Sequence, residues 1–352
     1  MLYQTKNPHG GEVYENPGLL DFSANINPLG TPPAVKKAVE AALPLLSQYP
    51  DPYCRELVAA ISDYENIPKE QILCGNGAAE LIFSLCQALR PEKALLLAPS
   101  FSEYESALRS VGCRVERWRL PEEQGFALTE DFLEALDQFD GSLLMLCNPN
   151  NPTGQVIERG MMERILSACR RKGIFLFVDE CFLDLTEGGE ALTLKGALSG
   201  RENLLLLKAF TKSYGMAGIR LGYCLCADGS LLKAMAQEVQ PWNVSSLAQA
   251  AGVAALKESG FLQKTKDLIG VERPWLQRKL EGFGFRVCPS SVNYLLFQGP
   301  TNLHAKLKEK GIAIRNCDNY PGLTAGWYRV AVRRHEENEM LIAAIDKILK
   351  GA

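Results

Sequence analysis

Histidine is scarce: the 352 residues contain three, His9, His304 and His335. None stands at a His, Cys or carboxylate spacing that would suit a metal ion, so no metal site is expected. The eleven cysteines include no Cys-x-x-Cys pair. They are scattered through apolar segments, the pattern of reduced thiols used as small hydrophobes in a cytosol, and a cytoplasmic location follows as an expectation. Charge of one sign is also lacking. The net charge is −3 and the isoelectric point about 5.8, which offers nothing to nucleic acid or an anionic membrane. No apolar run approaches membrane-spanning length. A dinucleotide fingerprint is missing too: Gly75-Asn76-Gly77-Ala78-Ala79-Glu80 lacks the third glycine, which disfavours a nicotinamide oxidoreductase on a Rossmann fold.

What is present is an ordinary globular composition, 47% hydrophobic and 22% charged, in a chain long enough for a large and a small domain. Residues 1–30 are rich in Gly, Asn and Pro and read as an extended arm rather than a packed element. A helix should open at Pro32 or Pro33 and run to about Leu46; residues 55–65 suggest another. From residue 72 short apolar runs (72–74, 94–97, 115–118, 143–147, 175–178, 204–207, 221–225) alternate with helical patterns such as 79–89, 103–111 and 161–172. That alternation predicts an α/β domain with a parallel or mostly parallel sheet covered on both faces. Beyond 235 the pattern changes. Helical stretches (245–258, 261–280) precede strand-like 285–287, 294–297, 312–315 and 328–332 and a final helix at 336–349, which suggests a smaller α+β domain. The expected division is an arm at 1–30, packing on the small domain and the active site, a large domain at 31–235 and a small one at 236–352.

The chemistry gathers where the apolar runs end. Lys212 follows 204–207, and a lysine at the mouth of a sheet can form a Schiff base with an aldehyde cofactor. Thr211 and Arg220 are equipped to hold a phosphate, as are the small residues after Gly75 at a helix N-terminus. Asn148-Pro149-Asn150-Asn151-Pro152-Thr153-Gly154 specifies a rigid turn and offers the Asn151 amide to a ring oxygen. Asp179 ends a buried run, a costly place for a carboxylate unless it is paired; a protonated pyridine nitrogen would suit it. Phe101 stands where it could stack on a flat ring. Lys212, Asn151, Asp179 and Arg220 all read as lying just after strands, at one edge of a parallel sheet.

In that order, Asn-Pro-Asn-Asn-Pro-Thr-Gly, Asp-Glu-x-Phe, and Thr-Lys with Arg eight residues on resemble the fold-type I pyridoxal-phosphate enzymes of the class I/II aminotransferase group, over essentially the whole chain. The resemblance implies pyridoxal 5'-phosphate carried on Lys212, with Asp179 on the pyridine nitrogen, Asn151 on the ring hydroxyl and Phe101 and Phe182 beside the ring. It places the phosphate on Gly77, Ala78, Ala79, Thr211 and Arg220. Tyr49 matches a tyrosine that reaches the phosphate of the neighbouring subunit, which implies a homodimer with composite active sites. Within the group, His9-Gly10-Gly11, the 21–30 segment, Phe101-Ser102-Glu103-Tyr104, the 319–323 segment and the 328–333 segment resemble a decarboxylating branch. That branch acts on a small amino-acid phosphate. Carried over by position, His9, Gly10, Asn25, Asn151, Arg315, Arg329 and Arg333 would contact substrate, Arg333 ranking last because Arg334 beside it suggests a solvated pair. The neighbouring branch, histidinol-phosphate aminotransferases, usually has tyrosine where this chain has Phe101 and Phe182, and transamination is the alternative reading. A non-catalytic sensing module is disfavoured by the presence of Lys212.

Overall fold

The computed structural model describes residues 9–11, 13–200 and 203–351, so the first eight residues of the expected arm lie outside it. The larger unit is organised on a sheet of seven strands: β2 (Ile72–Gly75), β3 (Lys93–Ala98), β4 (Arg114–Arg119), β5 (Leu143–Cys147), β6 (Phe175–Asp179), β7 (Leu204–Ala209) and β8 (Gly222–Cys226). The arm's short β1 (Leu20–Asp21) is not part of this sheet. Their order is β2-β8-β7-β6-β5-β3-β4. The central strands β5 and β7 are buried along their whole length, as continuous leucine-rich runs between two layers of helices require. The edge strand β4 alternates charged and partly buried residues, which leaves its open side poorly suited to pairing with another chain.

β8 is the one reversed strand: it runs antiparallel to both β7 and β2. The twelve residues 210–221 hold only the one-turn helix Phe210–Ser213, not the longer helix that usually carries a crossover to a parallel neighbour. This corrects the reading of Arg220. It does not follow a strand; it precedes β8, and reaches the common edge because β8 starts where its neighbours end.

The smaller unit carries an antiparallel sheet, in which β12 (Arg315–Asn316), β13 (Trp327–Ala331), β10 (Tyr294–Gln298) and β9 (Arg286–Val287) are neighbours in that order. The helices Phe261–Gly282 and His335–Leu349 cover it around Leu276, Leu295, Val330 and Leu341. The single strand expected at 312–315 is split. β11 (Ile312–Ala313) pairs in parallel with β1 of the arm, and β12 pairs with β13. The arm packs on the small unit, and more tightly than an extended arm would: two residues join a sheet and Phe22 is fully buried in the small unit's core.

A second difference concerns Ser246–Leu256, grouped by sequence with 236–352. Its Ala248, Ala251 and Ala255 are buried with Val35 and Leu57, from the helices Pro33–Ala42 and Arg55–Glu65. A Cβ on Gly252 would stand 2.6 Å from both Leu57 and Leu221 side chains, so close packing demands the glycine. By contact this helix sides with the larger unit. All eleven cysteines are buried free thiols, and among the described residues no helix is long and apolar enough to cross a membrane.

Candidate active site

The carboxyl edge of the large sheet and the small unit enclose a cleft of about 380 Å³. Lys212, Asp179, Asn151, Phe101, Phe182, Ala78, Ala79, Thr211 and Arg220 line it, together with His9, Gly10, Asn25, Arg315 and Arg329. Each comes from the end of an element. Asp179 closes β6, Asn151 lies in the turn after β5, and Lys212 sits in the one-turn helix Phe210–Ser213 that follows β7.

One end of the cleft is built for an anion. The helix Ala78–Leu89 points its N-terminus there, with Gly77 as N-cap at φ +81°. A Cβ on Gly77 would come within 2.6 Å of Arg220 Nη2, and one on Gly222 within 2.7 Å of the Ala78 nitrogen. Both glycines are therefore needed for the guanidinium and strand β8 to lie against the helix N-terminus. Gly77 shapes this end without lining the cleft. Arg220 holds φ +59°, a left-handed conformation that costs a non-glycine residue about 1 kcal/mol or more, and strain of this kind concentrates at functional sites.

In the middle, the Asp179 carboxylate accepts from Tyr104 Oη at 2.7 Å and from the Cys181 backbone N–H at 2.9 Å. Burial raises its pKa, while those hydrogen bonds and the Lys212 charge pull it back down. Lys212 is half-buried, its Nζ 5.8 Å from the centre of the Phe182 ring. Burial, then the positive charges of Arg329 and Arg220, bring its pKa down to about 8, against the opposing pull of Cys181 and Asp179. Phe101 packs edge-on against Tyr104 at 5.5 Å, and Phe182 against Tyr294 at 5.1 Å, so both rings are held at the walls.

The far end is cationic. Arg329 is buried and donates to Asn151 Oδ1 and, at 2.9 Å, to the Ser23 carbonyl. Both partners are neutral, and among the described residues no carboxylate forms an ion pair with it. Arg315 donates to the Asn316 carbonyl and to Asn319 Oδ1 at 2.7 Å. His9 Nε2 is 2.7 Å from Glu103 Oε1, and its ring lies 5.7 Å from Phe101. Gly10 packs so closely on the Ser23 backbone that a Cβ would sit 2.3 Å from that carbonyl oxygen. Among the described residues, the buried Asn25 Oδ1 has no hydrogen-bond partner.

Two expected residues are elsewhere. Arg333 is a strut: it donates to the Asp21 carbonyl at 2.9 Å, pairs with Glu337 and lies over Phe22, tying the arm to the small unit. Tyr49 is 77% exposed and stacks on Trp242 at 4.4 Å, outside the cleft of its own chain. Conversely, sequence reasoning assigned no role to Tyr104, Glu103, Tyr320 or Cys147, which line or support the cleft. Tyr104 and Glu103 were visible only as letters of Phe101-Ser102-Glu103-Tyr104; nothing in the spacing said that Tyr104 would reach Asp179.

These residues fit pyridoxal phosphate. A helix N-terminus with an arginine suits its phosphate, a buried carboxylate its pyridine nitrogen, and a lysine of lowered pKa its aldehyde. The chain belongs to the aminotransferases of class I and II, whose family model matches residues 17–345, and its cofactor is pyridoxal 5'-phosphate. Among curated relatives it is 37% identical to the threonine-phosphate decarboxylase of Salmonella typhimurium, over 97% of each chain. It is 34% identical to a histidinol-phosphate aminotransferase of Desulfitobacterium hafniense, over 96% of this chain and 95% of that one. The crystal structure of the histidinol-phosphate aminotransferase from Clostridium acetobutylicum superposes with a TM-score of 0.88 at 29% identity, covering 95% of this chain and all of that one.

Proposed function

We propose that this protein decarboxylates L-threonine O-3-phosphate to (R)-1-aminopropan-2-ol O-phosphate and carbon dioxide, a step of cobalamin biosynthesis. The similarity to threonine-phosphate decarboxylases over nearly the full length supports the assignment. The observation that carries the substrate class is the buried Arg329 guanidinium, hydrogen-bonded among the described residues to neutral oxygens and lining the cleft with Arg315 and His9. A buried cation in that state is costly until an anion joins it. A phosphorylated amino acid brings two anionic groups to this end.

Pyridoxal phosphate, when bound, supplies the electron sink that accepts the pair released as the Cα–carboxylate bond breaks. The chain's residues determine which Cα bond breaks. Arg315 and Arg329, with His9 and Asn25 of the arm, would hold the substrate's phosphate and carboxylate and so present the bond from Cα to the carboxylate for cleavage. Asp179, supported by Tyr104, keeps the ring nitrogen protonated. Thr211, Arg220 and the helix N-terminus at Ala78 and Ala79 anchor the cofactor phosphate. Lys212, with its lowered pKa, gives a proton to Cα after carbon dioxide leaves. Phe101 and Phe182 present no hydroxyl to the ring.

The active unit in this reading is a cytoplasmic homodimer in which Tyr49 reaches the partner's site; its exposed ring supports that role. Mixing inactive Lys212→Ala protein with an inactive Tyr49→Ala protein should restore activity through hybrid dimers. No recovery despite demonstrated subunit exchange would remove the shared-site reading. The reaction itself is tested by supplying the purified protein with L-threonine O-3-phosphate and measuring carbon dioxide and keto acid. Rapid transamination of histidinol phosphate with 2-oxoglutarate, and no carbon dioxide, would replace decarboxylation by the aminotransferase alternative.

A further inference from the structure

The segment Asn25-Ile26-Asn27-Pro28-Leu29-Gly30 contains a second asparagine that the site does not use. Asn27 is 3% exposed. Its Nδ2 donates to the Ser213 carbonyl at 2.7 Å and to Thr265 Oγ1 at 2.9 Å, and its Oδ1 accepts from the Leu29 N–H at 2.8 Å. Ser213 is the residue after Lys212 and the last of the one-turn helix that carries it. Its side chain is held from the other side, donating to Asp184 Oδ2 at 3.1 Å, while Asp184 Oδ1 lies 3.4 Å from the buried Lys208. Two residues on, Thr31 Oγ1 donates to the Gly215 carbonyl at 2.7 Å. The chains approach so closely there that a Cβ on Gly215, at φ +62°, would stand 2.8 Å from Gly30.

A four-residue helix has few internal hydrogen bonds and does not hold its own orientation. That of Phe210–Ser213 is set by what grips Ser213. We propose that Asn27 and Asp184 are positioning residues for Lys212: gripping Ser213 by its carbonyl and its hydroxyl, they fix the direction of the lysine. Through Thr265, Asn27 also ties that direction to the helix Phe261–Gly282 of the small unit. The arm, the small unit and the lysine are thus joined at one buried amide. This inference rests on the reading of Lys212 as the cofactor-bearing lysine.

A purely structural role for Asn27 would lower stability and leave the lysine's chemistry in the folded protein alone. The test therefore reads the lysine itself. In cofactor-free protein, the pH dependence of Lys212 acylation by acetic anhydride, followed by peptide mass, should give a wild-type midpoint near 8. The titratable groups facing the amine are Arg329 of β13, Arg220 before β8, Asp179 of β6 and the Cys181 thiol, and none is altered in the variants. In Asn27→Ala the lysine gains water, and the midpoint should rise by about half a unit or more toward the ordinary lysine value. In the loaded enzyme kcat should fall roughly ten- to a hundredfold while KM changes less than about threefold, since misplacement of a reacting group costs rate. Thr265→Val keeps the bond to Ser213 and should shift the midpoint much less.

Asn27→Ser removes the amide without adding a charge, and Ser213→Ala frees the end of the one-turn helix from Asp184 without altering one; each gives the same readouts if Asn27→Ala does not fold. Folded variants with an unchanged midpoint and unchanged kcat would overturn the proposal. Borohydride reduction of the wild-type holoenzyme separates this failure from that of the underlying reading: a pyridoxyl adduct on another lysine refutes the role of Lys212 itself.

Discussion

Replacing Arg329 by alanine perturbs the site in three ways that can be measured separately. The side chain is 6% exposed and stands among neutral partners, so its charge is available to a substrate anion. Losing one charge-assisted contact should cost about 1.5–3 kcal/mol, roughly ten- to 150-fold in kcat/KM. Arg329 is also the strongest of the charges that depress Lys212, after burial. Its removal should move the lysine upward from about 8, so that less of it is neutral at a fixed pH. Stability should change modestly. Asn151 Oδ1 and the Ser23 carbonyl lose a donor, about 1–3 kcal/mol, but the cost of burying an unpaired cation is lifted at the same time. Carbon dioxide release from L-threonine O-3-phosphate gives the first quantity, Lys212 acylation against pH the second and thermal unfolding the third. A variant within about threefold of wild-type kcat/KM, with its lysine midpoint unmoved, would show that Arg329 neither meets the substrate nor acts on Lys212.

Tyr104→Phe removes the hydroxyl donated to Asp179 and should weaken retention of the cofactor by about two- to twelvefold, read by titrating cofactor-free protein with pyridoxal phosphate; unaltered affinity would deny Tyr104 a supporting role. The rate at which cofactor-free protein takes up pyridoxal phosphate should climb as pH rises toward about 8 and level off above it, because only the neutral Lys212 amine attacks the aldehyde. A rate still climbing steeply at about pH 10, the ordinary lysine range, would contradict the lowered pKa. Lys208→Met leaves Glu65, Glu180 and Asp184 without the ammonium that lies 3.8, 3.5 and 3.4 Å from them. The folded protein should lose about 3–5 kcal/mol, measured by denaturant unfolding, and a loss below about 1 kcal/mol would mean that the cluster is held neutral.

Much of this site could be read in the sequence because its residues sit at ends of elements, where Gly, Pro, Asn and apolar runs leave clear marks. The turn after β5, the buried run ending at Asp179 and the pair Thr211-Lys212 after β7 are of this kind. The alternation of apolar runs and helical stretches likewise pointed to the large sheet. What escaped depended on direction and on pairing between distant segments. Nothing local in 221–225 states that β8 is reversed; the preceding connection hints at it only by holding no helix longer than one turn. Residues 312–315 look like one strand because each is compatible with a sheet, and only the meeting with Leu20 and Arg329 divides them. Arg333 and Arg329 belong to one arginine-rich stretch, yet Arg329 faces the cleft and Arg333 reaches the Asp21 carbonyl. Tyr104 needed a partner 75 residues away to acquire a role.

The adjacent acids Asp179 and Glu180 show how a sheet sorts identical chemistry. Side chains alternate between its faces. Along β6, Phe177 packs in the cluster that contains Tyr104, whereas Leu176 and Val178 pack in the opposite one. Asp179 continues the first set and meets the Tyr104 hydroxyl beside the cleft. Glu180 turns away, accepting from Thr193 Oγ1 at 2.7 Å and the Leu194 N–H at 2.9 Å, with Lys208 at 3.5 Å. Burial raises the pKa of both, but the compensations differ in kind. Glu180 is answered by a fixed ammonium within the protein. Asp179 is answered by hydroxyl and amide donors and by the charge of Lys212. A buried carboxylate held this way still favours a positive partner on its open side. One side chain thus belongs to the framework beneath Ser213 and the other lines the cleft, because a period of two set them on opposite faces.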